Sequence, residues 1–267
     1  MAVVADPASW PLGAPFAVCA ALALLYALGG RSHRPSRRRA ASFYGGIATV
    51  VLALDTPVDA YADRLFAVHM LQHVLLLTVA PPLLVSGRPW PRLWQPLPLR
   101  VRRAGARAIA AAAPLATPPV ALALLTATVG AWHVPALYDA TLRSDAVHQL
   151  EHLSFVATAI LFWAVMLGAP PLRARIDGAR RCLYFVLAMV PGWILAIVLA
   201  FARTPLYAYA GLRHRPGGIS GLADQQLAAG VMWVPGSVAY VVAACWSLYS
   251  WLEPRGGTRT WSPPAAT

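Results

Sequence analysis

Residues 65–87 read LFAVHMLQHVLLLTVAPPLLVSG, a stretch with no charged side chain. As a helix rising about 1.5 Å per residue, it is long enough to cross the ~30 Å hydrocarbon core of a bilayer. Similar apolar runs lie on either side, at 7–30, 40–54, 108–138, 152–172, 182–202 and 225–252. All but 40–54 exceed the roughly 18 residues that mark a membrane span. The 267-residue chain is 58% hydrophobic and 12% charged, where a soluble domain carries about 25% charged residues. These features exclude a water-soluble enzyme, a coiled coil and a disordered chain. The net charge of +12 is read as a signature of membrane orientation rather than of a nucleic-acid partner.

The positive charge is all arginine, and it is clustered. Arg31, Arg34, Arg37, Arg38 and Arg39 follow the first run, and Arg88, Arg92, Arg100, Arg102, Arg103 and Arg107 the third. Arg173, Arg175, Arg180 and Arg181 follow the fifth, and Arg255 and Arg259 the seventh. Counting 40–54 as a helix puts all four clusters on one face. Basic loops stay cytoplasmic, so the expected fold is an all-α membrane protein. It is a seven-transmembrane-helix bundle with its N-terminus outside and its C-terminus cytoplasmic. Approximate spans are 12–29, 41–58, 65–86, 108–131, 146–168, 182–202 and 226–251, in a single polytopic membrane domain over 1–267. Trp10 and Trp132 suit the outer interface, and Trp90, Trp94 and Trp251 the inner one. No basic residue precedes the first run, so it is expected to be a retained span rather than a secretory signal. Pro81-Pro82, Pro118-Pro119, Pro191-Gly192 and Pro235-Gly236 fall within the spans and mark expected kinks. Cys19, Cys182 and Cys245 stand alone in or near apolar runs, with no Cys-x-x-Cys, and read as small buried residues.

Of seven histidines, His33 and His214 sit in arginine-flanked loops and read as solvated. His69 and His73 lie in His-Met-Leu-Gln-His, and His148 and His152 in His-Gln-Leu-Glu-His. Spacing of i,i+4 puts both rings of a pair on one helix face. His133 follows Trp132 at the outer end of the fourth span. All five fall within about two to three turns of the outer surface. Ionisable side chains inside a membrane face the bundle interior or a cavity, and neutral imidazole is a common ligand of copper and zinc. The pattern therefore points to an intramembrane metal site built from three helices, with a haem site or a structural polar network as alternatives. Glu151 shares the face of His148, where it serves as a ligand, as an acceptor orienting an imidazole, or as a proton acceptor. Asp224 opens the last span and either tunes the site or serves its own helix dipole. Met232 is either a soft copper ligand or core, and Met70 reads as packing. Asp55 and Asp59 either gather cations at the mouth or are solvated.

Several segments resemble the CtaG family of cytochrome c oxidase assembly proteins. They are His69 to His73 with Ala80-Pro81-Pro82-Leu83-Leu84 and Gly87-Arg88-Pro89, Trp132 to Asp139, His148 to Phe155, and Asp224 to Ala228 with Met232 to Gly236. Together they span roughly 60–245. The resemblance implies a multi-pass protein of the bacterial plasma membrane that helps mature a haem–copper oxidase, with copper delivery as its task. It implies oxidase subunits and a periplasmic copper donor as partners, beside the lipid bilayer. A separate copper-chaperone family of the same name has one membrane anchor and a Cys-Phe-Cys-Phe motif. That motif is absent here, so its thiol mechanism does not transfer.

The expectation is metal handling without catalysis. Copper arrives from outside, binds His69, His73, His148 and His152 with His133 assisting, and leaves by ligand exchange to the nascent oxidase. Ligands must be deprotonated, so binding weakens as pH falls through about 6–7. The enzymatic rival is a seven-helix membrane zinc hydrolase, because residues 148–152 fit His-x-x-Glu-His. A haem-binding protein and a metal-free scaffold for oxidase subunits complete the alternatives.

Overall fold

Proline starts and glycine ends several helices of this chain. The computed structural model describes residues 13–29, 34–172, 176–208 and 216–253. It is all-helical, with no strand among the described residues. The helices are α1 (Ala14–Leu28), α2 (Arg37–Leu54), α3 (Pro57–Ala62), α4 (Phe66–Val74), α5 (Ala80–Ser86), α6 (Trp90–Trp94), α7 (Leu99–Ala112), α8 (Pro118–Trp132), α9 (Pro135–Thr141), α10 (Asp145–Leu167), α11 (Gly178–Phe201) and α12 (Gly221–Leu252). A π-helical turn, Leu75–Val79, joins α4 to α5.

Four segments are long and apolar enough to cross a membrane: Phe66–Ser86, Asp145–Leu167, Gly178–Phe201 and Gly221–Leu252. A fifth is added if the bent pair Leu99–Leu115 and Pro118–Trp132 counts as one span. The chain is thus a membrane protein. The α4–α5 segment is its centre: 61% of its apolar window is buried inside the protein, against 22% for α11 and for α12. The outer flanks of α11 and α12 expose Ile194, Val198, Phe201, Val234, Val242 and Trp246, as surfaces facing lipid do. α1 is apolar but shorter, at 15 residues, and α2 begins with Arg37, Arg38 and Arg39.

The stretch expected as one span over 108–131 is not one straight helix. Arg100, Arg102, Arg103 and Arg107 lie on α7, which buries none of its residues. Charged side chains at this density are costly in hydrocarbon. Pro114, in the turn Ala113–Leu115, and Pro118-Pro119 then break the chain, because proline cannot continue a preceding helix yet is well placed at a first helical position. α7 and α8 meet at 90°. Pro118-Pro119 therefore start a helix, whereas Pro191 and Pro235 lie inside α11 and α12.

α5 seats directly on α2. A Cβ at Gly46 would lie 2.7 Å from Leu84 Cγ and 2.8 Å from the Leu84 backbone nitrogen, so glycine sets the approach of the two backbones. The main core joins α10, α11 and α12: Trp163 stacks on Tyr240 at 5.3 Å, with Phe162 edge-on to both and to Phe185. α10 ends at Gly168 with φ of 58°, a left-handed cap that glycine adopts without a Cβ clash.

Long-range hydrogen bonds gather the starts of α1, α4 and α12 and the ends of α2 and α11 at one end of the bundle. Gly13 N donates to Asp55 Oδ1, Phe66 N to Asp224 Oδ2, and Gln225 Nε2 to Leu199 O. Ring contacts of His69 with His148 and of His73 with His133 bring the start of α10 and the end of α8 to the same end.

Candidate metal centre

The helix bearing His69 and His73 is held at both ends by other elements. At its start, Asp224 of α12 accepts from Phe66 N at 2.9 Å and from Ala67 N at 3.0 Å. A helix start leaves backbone N–H groups without acceptors, and here a carboxylate on another helix supplies them. Along the helix, Gln72 Nε2 donates to Ala53 O and to Asp59 Oδ1, each at 2.8 Å. One turn later Pro81 has no N–H to offer Leu77 O, and the indole N–H of Trp163 on α10 donates to that carbonyl at 3.2 Å. The π-helical turn lies at this point, directly after the histidine pair. On α8, Trp132 Nε1 donates to Ser154 Oγ of α10 at 2.7 Å. The helices that carry the histidines are thereby tied to one another and to α2 and α12.

All five histidines of the expected set meet at this end. Ring centroids of His69 and His73 are 4.3 Å apart, and those of His148 and His152 are 4.2 Å apart. Across the helices, His69 stacks on His148 at 5.1 Å, and His73 lies 5.6 Å from His152 and 6.4 Å from His133. Glu151 sits between the pairs, with Oε2 at 3.7 Å from His73 Nε2 and 3.9 Å from His69 Nε2. Glu151 is fully buried, and His69, His73 and His152 are at most 3% exposed. His148 is partly exposed and stands at the mouth. Phe66, Tyr138, Phe155 and Tyr207 pack around the imidazoles and one another as a largely apolar wall.

Two groups of donor atoms have the spacing to hold an ion: His69, His73 and Glu151, and His148, Glu151 and His152. Within each group the atoms all lie within 4.8 Å of one another. Both oxygens of Glu151, both ring nitrogens of His73 and His152, and Nε2 of His148 have no hydrogen-bond partner among the described residues. Buried polar atoms are normally satisfied, and these converge on a common space, so the residues fit a bound cation. His133 stands outside both groups. Its Nδ1 lies 2.7 Å from Val129 O. A carbonyl only accepts, so Nδ1 carries the proton and Nε2 keeps the lone pair. Imidazole with carboxylate is a donor set shared by copper and zinc. No cysteine joins either group among the described residues.

The accessory residues fall elsewhere. Asp224 supports α4 through both carboxylate oxygens rather than joining either donor group. Met232 lines a cavity of about 70 Å³ beside His73 and His133, together with Met70 and Met189. Met70 thus faces both core and cavity. Asp55 holds the start of α1, and Asp59 holds Gln72. Burial pushes the Asp59 carboxyl up to about 6, against the pull of the Gln72 hydrogen bond. At the mouth, partial burial raises the Asp63 carboxyl against the pull of His148, with Asp145 adding to the rise. His33, His214 and Trp10 lie outside the described residues.

The links that sequence patterning missed are Gln72, Trp163, Tyr207 and Met189. Tyr207 donates its hydroxyl to His133 O at 3.0 Å. A glutamine between two histidines on an apolar helix was the one available signal, because a buried amide needs partners.

An uncharacterized protein of Mycobacterium bovis and one of Mycobacterium tuberculosis are each 28% identical to this chain over 213 residues. Each match covers 70% of this chain and 30% of the relative, so the chain spans about 30% of the length of these relatives. No solved structure matches. The family model of the cytochrome c oxidase caa3 assembly factor matches residues 19–253, which include every residue of the two donor groups. With its membrane helices and this match over most of its length, the chain belongs to the family of cytochrome c oxidase caa3 assembly factors.

Proposed function

We propose that this assembly factor binds copper in the membrane and delivers it to the nascent oxidase. The reading takes the chain as one multi-pass domain of the bacterial plasma membrane. It has seven spans, counting α1, α2 and α8 with the four long segments, with its N-terminus outside and its C-terminus in the cytoplasm. The arginine clusters support that orientation. The histidine end then faces the side from which a periplasmic donor supplies copper.

The observation that carries the reading is the convergence of buried imidazoles from α4 and α10 on Glu151, where both Glu151 oxygens and the ring nitrogens of His73 and His152 have no hydrogen-bond partner among the described residues. In this reading copper is cargo. His148 at the mouth, near Asp63 and Asp145, receives it. His152, His69 and His73 hold it, and Glu151 balances its charge. The cavity lined by Met70, Met189 and Met232 adjoins His73 and His133. Thioethers favour Cu(I) over zinc, which supports copper and suggests the route toward the partner subunit. Without thiolates, the ligands release the ion by stepwise exchange. No step makes or breaks a covalent bond in a substrate, in keeping with a non-catalytic role.

Metal analysis of the purified chain tests this. The wild type retains copper, and His73→Ala with His152→Ala loses most of it. Unchanged copper in the double variant overturns the reading. Retained zinc with peptide or lipid turnover favours a hydrolase instead, an alternative that the His148, Glu151 and His152 group keeps specific. A Soret band identifies a haem protein.

A further inference from the structure

The centre holds more donors than one ion uses. Four imidazoles and a carboxylate make up the two donor groups, whereas a protein site for copper or zinc commonly takes three or four ligands. The donors also divide by geometry. His69 and His73 project from α4, and His148 and His152 from α10. Only Glu151 is common to the two donor groups. Two ligands at ~2.0–2.1 Å from one ion are at most about 4 Å apart, so small side-chain rotations suffice to close each group. A carboxylate has two oxygens, and neither Glu151 oxygen accepts a hydrogen bond from the described residues. In two-metal sites the ions lie about 3.5–4 Å apart, a distance that one bridging carboxylate spans.

Resting on the copper reading above, we infer that the centre is a two-ion site in which Glu151 bridges two Cu(I) ions. One is held by His148 and His152 and the other by His69 and His73. The two stations are not equivalent. The α10 station reaches the mouth through partly exposed His148. In the α4 station every donor is at most 2% exposed, and His73 opens onto the methionine-lined cavity. An ion at the first is positioned to load, and an ion at the second to leave. Charge supports the monovalent state. Two Cu(I) ions with one carboxylate carry a net single positive charge, whereas two divalent ions would leave three positive charges in a low-dielectric interior. The thioethers beside the inner station favour the same oxidation state.

The test is anaerobic Cu(I) titration of the full chain in detergent against a competing chelator, with copper-edge X-ray absorption on the loaded wild type. The expected capacity is two ions per chain. It falls to one in His148→Ala with His152→Ala, to one in His69→Ala with His73→Ala, and to one in Glu151→Gln. The wild-type spectrum shows a copper–copper vector near 3.5–4 Å, a readout that needs no variant to fold. A wild-type capacity of one ion, or two ions without that vector, overturns the bridged pair and leaves copper binding standing. A capacity of zero overturns the copper reading itself.

Discussion

Asp224 on α12 and Phe66 at the start of α4 are 158 positions apart in sequence and joined by a 2.9 Å hydrogen bond from the Phe66 amide to the Asp224 carboxylate. The other carboxylate oxygen takes the Ala67 amide. The helix carrying His69 and His73 is therefore started by a residue of another helix. Asp224→Ala removes the acceptor for two N–H groups in a largely buried setting. A loss of about 2 kcal/mol is expected, read as a lowered unfolding midpoint in detergent. Asp224→Asn keeps one oxygen and should fall between the two.

Burial of Asp59, only partly offset by its hydrogen bond from Gln72, gives the chain a pH dependence with a definite sign. The Asp59 carboxyl titrates at about 6 in the folded chain, raised from 3.8 chiefly by burial. The folded state thus binds this proton more tightly than the unfolded state. The resulting stabilisation is fully present below about pH 4 and is lost as pH rises through about 6. Asp59 is only partly buried, so solvent screening limits the effect to about 1 kcal/mol. Thermal unfolding of Asp59→Asn between pH 4 and 8 should lack this component and exceed the wild type in stability at pH 8. An unchanged pH profile would remove Asp59 as its source.

Trp163 supplies the donor that Pro81 cannot give to Leu77 O. Trp163→Phe keeps an aromatic ring against Tyr240 but leaves that carbonyl without its indole partner. A cost of about 1–3 kcal/mol is expected. A double-variant cycle with Pro81→Ala, which restores the backbone N–H, should show coupling between the two positions, whereas additive losses would argue against the link.

Much of this architecture is legible before folding. The i,i+4 histidine pairs and the apolar runs place the α4 and α10 donors at one depth, because helical periodicity and bilayer thickness are local constraints. What was not legible is non-local. Nothing near Asp224 announces that it serves α4, and nothing near Met189 announces that it shares a cavity with Met70 and Met232. The bend between α7 and α8 was in principle readable, since Arg107 directly precedes the expected span and Pro114 and Pro118-Pro119 interrupt it. Continuous hydrophobicity over 108–138 masked that break.

In the proposed reading, imidazoles from α4 and α10 together hold one buried copper centre. X-ray absorption at the copper edge of the loaded wild type and of His73→Ala with His152→Ala tests it most directly. The loaded wild type should show nitrogen neighbours at ~2.0–2.1 Å with the outer-shell pattern of imidazole, lost together with most of the copper in the double variant. An identical spectrum and copper content in both proteins would contradict it.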